Sequence, residues 1–235
     1  MPRPALALAL ALALALALAL ALALSASPAA AQVAVIDEGS FTITRDGRAV
    51  GREDFRISRT PGVGGDVIVA QATVSYGADR RLVPALQSER GAPVRYVVEV
   101  RGGGETQEKL SGTIGRGRFS ARIQTPRGES VKEYLVSDGA FLLDDDVFHQ
   151  HYFIAWAPPG PVPVVVPRRN AQVAMTLAAR PDERVTVGGR ELAARCLTLA
   201  EPGGERTIWV DAQGRVLRVA IPARGIVAQR DEAPR

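Results

Sequence analysis

One cysteine in 235 residues, Cys196, rules out a disulfide within the chain. In the segment "RELAARCLTLA" it lacks a glycine-rich or histidine-bearing context, and is expected to be a small buried apolar residue. Histidine is as scarce: His149 and His151 are the whole supply, so any imidazole chemistry must use one of them. Lysine is reduced to Lys109 and Lys132, and the arginines alternate with Asp and Glu without forming a basic run, which argues against a nucleic-acid partner. No Gly-x-Ser-x-Gly elbow is present, and the glycines of "PGVGGD" and "RGGGE" precede neither a lysine nor a helical pattern. Serine hydrolysis and phosphate-loop chemistry therefore have no motif. No catalytic residue, resident metal or cofactor is expected.

Two long features are present. The first is an unbroken Leu/Ala run from Ala5 to Leu24, preceded by Arg3 and followed by "SASPAAAQ". Ala29 and Ala31 fit the small-x-small cleavage pattern, which defines a secretory signal over 1–31 and a mature start at Gln32. The run is 20 residues long, enough to cross a bilayer, so an uncleaved anchor is the rival reading. No cysteine follows the run to accept a lipid. The expected location is periplasmic or secreted, with no stable membrane insertion after cleavage. Removing 1–31 takes away one basic residue of 29, Arg3, and leaves a formal charge of +3 against 25 acidic residues.

The second feature is period-two alternation. In "VRYVVEV" Val94, Tyr96, Val98 and Val100 share a strand face, and in "RFSARIQ" Phe119, Ala121 and Ile123 do so. Phe41 and Ile43 lead into Asp46-Gly47, a dipeptide suited to a tight hairpin, with Phe55 and Ile57 on the return strand. Turn residues recur at Gly102 to Gly104, Pro126 to Gly128, Asp138-Gly139, Gly188-Gly189, Pro202 to Gly204 and Asp211 to Gly214. The fold class is all-β: an antiparallel meander rolled into an open or partly closed β-barrel, a half-barrel, with few or no long helices. One domain is expected over 32–222. Within it "DRRLVPALQSE" forms a loop or short helix because Pro84 sits in its interior, and the proline-rich 157–169 forms an extended crossing or edge segment. The tail 223–235 is expected to fray. Trp209, in "TIWV", is expected to be mostly buried in the last hairpin.

Four stretches, "FTITRDGRAVGREDFRI", "RLVPALQSERGAPVRYVVEV", "LLDDDVFHQHYFIA" and "RTIWVDAQGRVLRVAIP", resemble a family of uncharacterised exported bacterial proteins. That family is distantly similar to the lipoprotein localisation factors, which are half-barrels that carry acyl chains. The resemblance implies a half-barrel with an apolar concave face; no helical lid pattern accompanies it.

"DDDVFHQHYF", residues 144–153, holds both histidines. On a strand His149 and His151 would share a face, as a metal site requires, but no further histidine exists to complete one. The expected role is the start of a strand, with Asp144, Asp145 and Asp146 in a solvated turn.

Three functions follow from these features. The first is a non-enzymatic envelope protein that binds or carries an apolar or lipid ligand, lined by Tyr96, Phe119, Phe148, Tyr152 and Trp209. The second is an envelope interaction module that offers an edge strand or the segment 157–167 to a protein partner. The third is a metal-dependent envelope enzyme using His149 and His151.

Overall fold

The computed structural model describes residues 33–62, 64–77 and 80–235. The Leu/Ala run and its cleavage site lie outside the described residues. Residues Val33–Arg235 form one compact unit.

The first half is an eight-strand meander: β1 (Ala34–Arg45), β2 (Arg48–Gly62), β3 (Gly65–Tyr76), β4 (Arg80–Glu89), β5 (Ala92–Gly102), β6 (Glu105–Gly115), β7 (Arg118–Thr125) and β8 (Gly128–Leu135). The chain then leaves the sheet, adds the two-residue β9 (Phe141–Leu142), and makes one short helix, α1 (His151–Ile154). It returns as β10 (Gly160–Val166), β11 (Ala171–Val187), β12 (Arg190–Glu201), β13 (Gly204–Val210), β14 (Val216–Ile221) and β15 (Ile226–Arg230). β15 pairs antiparallel with β1, from Phe41↔Arg230 to Arg45↔Ile226, and so joins both halves into one sheet of 15 strands. Its order runs from β8 back to β1, then β15 down to β9. Among the described residues every pairing is antiparallel except β9 with β10. The sheet does not close. It rolls until β9 lies against β5, and its two ends are β8 and β9.

Alternation drives the roll. Phe41, Ile43, Ile57, Val74, Leu82, Tyr96, Val98 and Phe119 are all fully buried on the concave face. Burying each such side chain contributes about 1.5–3 kcal/mol, which a flat sheet with one wet face could not collect. Two local features tighten the curve. Asp46 and Gly47 both take positive φ, the primed turn geometry that matches strand twist. At Gly112 a Cβ would come within 2.6 Å of the Phe119 ring, so glycine makes room for that aromatic.

Three expectations about elements are corrected. The segment containing Pro84 is a regular strand, β4, neither loop nor helix. The β3 register passes from Gln71↔Ala85 to Val74↔Leu82 and skips Ala72 and Thr73 opposite Pro84 and Val83, so the missing N–H interrupts that ladder locally, while the β5 ladder runs on through Pro84↔Val98 and keeps the strand regular. The tail does not fray: Pro222–Arg224 make a 3-10 turn, Gly225 reverses the chain at positive φ, and Ile226, Ala228 and Arg230 turn inward as β15. The proline-rich stretch is not a free docking segment. It becomes β10, with Val164, Val165 and Val166 buried. An unbroken ladder to β11 is possible because Pro161 and Pro163 share one parity, and β9 pairs only beside Val164 and Val165.

Candidate functional site

Residues 143–157 do not form a strand. They pass through the concave side of the roll and plug it, with Leu143, Val147, Phe148 and Ile154 in the core. His149 precedes α1 and His151 begins it, so the shared strand face expected for the pair does not exist.

A buried carboxylate fixes the plug. Glu53, on β2, has the same parity as Phe55 and Ile57 and is fully buried. Its Oε2 accepts the Phe148 N–H at 2.6 Å; its Oε1 accepts the His149 N–H at 2.8 Å and faces His149 Nδ1 at 2.6 Å. The His149 ring stacks on Phe55 at 5.8 Å, and Phe55 stacks on Phe41 at 5.1 Å. His151 Nδ1 donates to the Phe148 carbonyl at 2.9 Å. Burial, reinforced by the nearby Arg206 guanidinium, pushes the His151 imidazole down to about 3, so it is neutral at pH 7. Among the described residues, Nε2 of His149, Gln150 and His151 are buried without a hydrogen-bond partner in the protein.

The three aspartates are clamped, not solvated. Asp144 is 1% exposed; it accepts from the Tyr96 hydroxyl at 2.6 Å and Arg168 Nε at 2.7 Å, while its N–H donates to Gln150 Oε1 at 2.7 Å. Burial raises the Asp144 carboxyl against the pull of Arg168, and burial beside Asp144 raises the Tyr96 phenol. Asp145 receives two hydrogen bonds from Arg169, which overcome its burial and lower its pKa. Asp146 is paired with Arg224 and Arg80. Among the described residues no three His, Cys, Asp or Glu side chains gather as metal ligands.

The five residues expected to line a ligand face fall into two places. Tyr96, Phe119 and Phe148 are core residues of the filled interior, and Tyr152 packs against that core half-buried. Trp209 is a correction: Ile208 and Val210 take the core side of β13, so Trp209 faces outward. There it joins Val185, Val187, Ala194 and Leu217 in a second small cluster. Its Nε1 donates to Glu183 at 2.8 Å, and the Arg218 guanidinium covers its ring at 5.0 Å. Cys196 is buried and its thiol is raised by burial. A cleft of about 530 Å³ opens at one mouth of the roll, between Asp37, Phe55, Arg215 and Arg230. Two of its arginines are engaged: Arg230 holds Asp37 with two bonds, and Arg215 holds Asp211.

A run of unfilled hydrogen-bonding capacity that faces solvent lies at the sheet's end. Arg116 and Gly117 both have positive φ, the primed two-residue turn, which makes Gly115 and Arg118 a hydrogen-bonded pair. From there the register alternates without a bulge through β7 and β8. Phe119, Ala121, Ile123 and Thr125 therefore bond to Tyr134, Lys132, Ser130 and Gly128. The N–H and C=O groups of Glu129, Val131, Glu133 and Leu135 point away from β7, where no strand is paired among the described residues. Val131 is 67% and Leu135 73% exposed on the outer face of this edge.

No family model and no curated protein sequence matches the chain. Among solved structures it is similar to a β-barrel-like protein of the domain of unknown function DUF1849 from Brucella abortus, at 9% identity and a TM-score of 0.53, covering 86% of this chain and 98% of that one. The likeness is one of fold: a β-barrel-like architecture of uncharacterised function.

Proposed function

We propose that the protein is a non-enzymatic interaction module of the cell envelope, and that it binds an extended segment of a partner by adding it as a strand beside β8. The observation that carries this reading is the open edge: four consecutive outward-facing backbone positions, from Glu129 to Leu135, on a strand exposed along nearly its whole length. Unpaired edges are the commonest templates for strand addition, and exposed Val and Leu supply apolar contact beyond the main-chain bonds. The filled interior supports the same choice, since the apolar concave face is covered by the chain's own Leu143, Val147, Phe148 and Ile154.

Val131→Pro tests it. The Val131 N–H points outward, so proline there removes a docking donor while leaving the β7 ladder intact. Affinity capture from an envelope extract should retain a partner with the wild type and lose it with Val131→Pro, at unchanged circular dichroism. Hydrogen exchange should show the amides of Val131 and Glu133 becoming protected when the partner binds. A partner retained equally by both proteins would rule out the β8 edge.

A further inference from the structure

We infer that the β8 edge selects a partner segment with basic and apolar side chains in alternation, and that its charges keep it from pairing with a second copy of itself. This rests on the reading of β8 as the docking edge.

Two copies of β8 joined in one continuous sheet must pair antiparallel about a two-fold axis perpendicular to the sheet, which keeps outer faces together. Outward-bonding residues then meet outward-bonding residues. Two such registers pair nearly the whole strand. Centring on Val131 sets Glu129 opposite Glu133 twice; centring on Lys132 sets that lysine opposite itself. Directly opposed like charges destabilise a cross-strand pair, so both long self-registers are penalised.

The same residues prescribe the complement. On the outer face the edge reads Glu129, Val131, Glu133, Leu135. From the β7 side Arg122 and Gln124 hold the two oxygens of Glu129, and Arg118 and Ser120 those of Glu133, yet the two side chains remain 40% and 48% exposed. A docked strand therefore places Lys or Arg opposite Glu129 and Glu133, and apolar residues opposite Val131 and Leu135. Each favourable opposed pair adds to the backbone bonds that any sequence would make.

Two dye-labelled peptides test this against the purified protein by fluorescence anisotropy: Val-Thr-Lys-Thr-Val-Thr-Lys and its counterpart with Glu in place of Lys. The basic peptide should bind about tenfold more tightly, from two opposed ion pairs. Glu129→Gln with Glu133→Gln should erase the preference, and Val131→Pro should erase the binding of both. Equal binding of both peptides that Val131→Pro abolishes would overturn the charge selection and leave strand addition standing. Binding of neither, or binding indifferent to Val131→Pro, would overturn both. Sedimentation supplies a measurement that needs no peptide: Glu133→Lys converts the Val131-centred register into two opposite-charge pairs, so this variant should dimerise where the wild type is a monomer, and Val131→Pro in the same chain should reverse it. A variant that stays monomeric would overturn the charge-protection argument.

Discussion

The two ends of the sheet are finished in opposite ways. At the β9 end the strand is only Phe141–Leu142, Leu142 is buried, and the next residues dive into the roll under the hold of Arg168, Arg169, Arg224 and Glu53. At the β8 end a strand four times as long is exposed on both faces and carries its charges in the open. A short strand followed by a buried plug leaves nothing to template; a long edge is guarded only by charge, which repels a like edge and admits a complementary one. Buried ionic groups are costly to strand and surface ones are cheap to change, so the two ends should respond to mutation on different scales.

The largest effect is expected at the sealed end. Glu53→Ala leaves the N–H groups of Phe148 and His149 and the His149 ring without their shared acceptor in a dry site, and should cost about 3–5 kcal/mol in denaturant unfolding. A loss under about 1 kcal/mol would mean the plug is not held by this carboxylate. Acid should act on the same end. The folded pKa of His151 is about 3, below its ordinary 6.5, so the unfolded chain takes up a proton that the folded chain refuses. Its contribution is fully present above about pH 6.5 and falls as the pH drops from there toward 3, by up to about 1.4 kcal/mol per pH unit. The raised pKa of Asp144 acts in the opposite sense, so the diagnostic measurement is the difference between wild type and His151→Gln in the slope of stability against pH from 7 to 5. The variant should be flatter; equal slopes would show that His151 is not buried neutral.

At the open end, proline distinguishes the two sides of one strand. Lys132→Pro removes a donor to β7 and should lower stability by about 1–3 kcal/mol, whereas Val131→Pro should lower it by less than about 1 kcal/mol while blocking docking. Equal losses would show that the register of β8 differs from the one described. Smallest of all is Val131→Asp, expected to change stability by under about 0.5 kcal/mol because its side chain contacts solvent.

The strands were legible because period-two alternation is a property of each segment alone. Glu53 was legible in principle: an acid on the same parity as Phe55 and Ile57 is a carboxylate aimed into a core. Trp209 misled because "TIWV" is apolar on both parities, and only the strand's neighbours decide which side is inside. Pro84 and β15 misled for the complementary reason. A proline interrupts one ladder without ending its strand where the pairing on the other side holds, as Pro84↔Val98 does, and a short polar tail frays only if no partner strand waits for it; both conditions depend on residues far away in sequence.

The sequence by itself determined an all-β chain, its hairpin turns, its lack of disulfides and the apolar face on which it curls, since these follow from side-chain parity and local φ preferences. Only the tertiary structure decided that β1 pairs with β15, that "DDDVFHQHYF" fills the roll instead of extending it, and that β8 has no neighbour beyond β7 among the described residues. Those outcomes depend on which surfaces meet when the sheet rolls up, and no local pattern records which strand will be last.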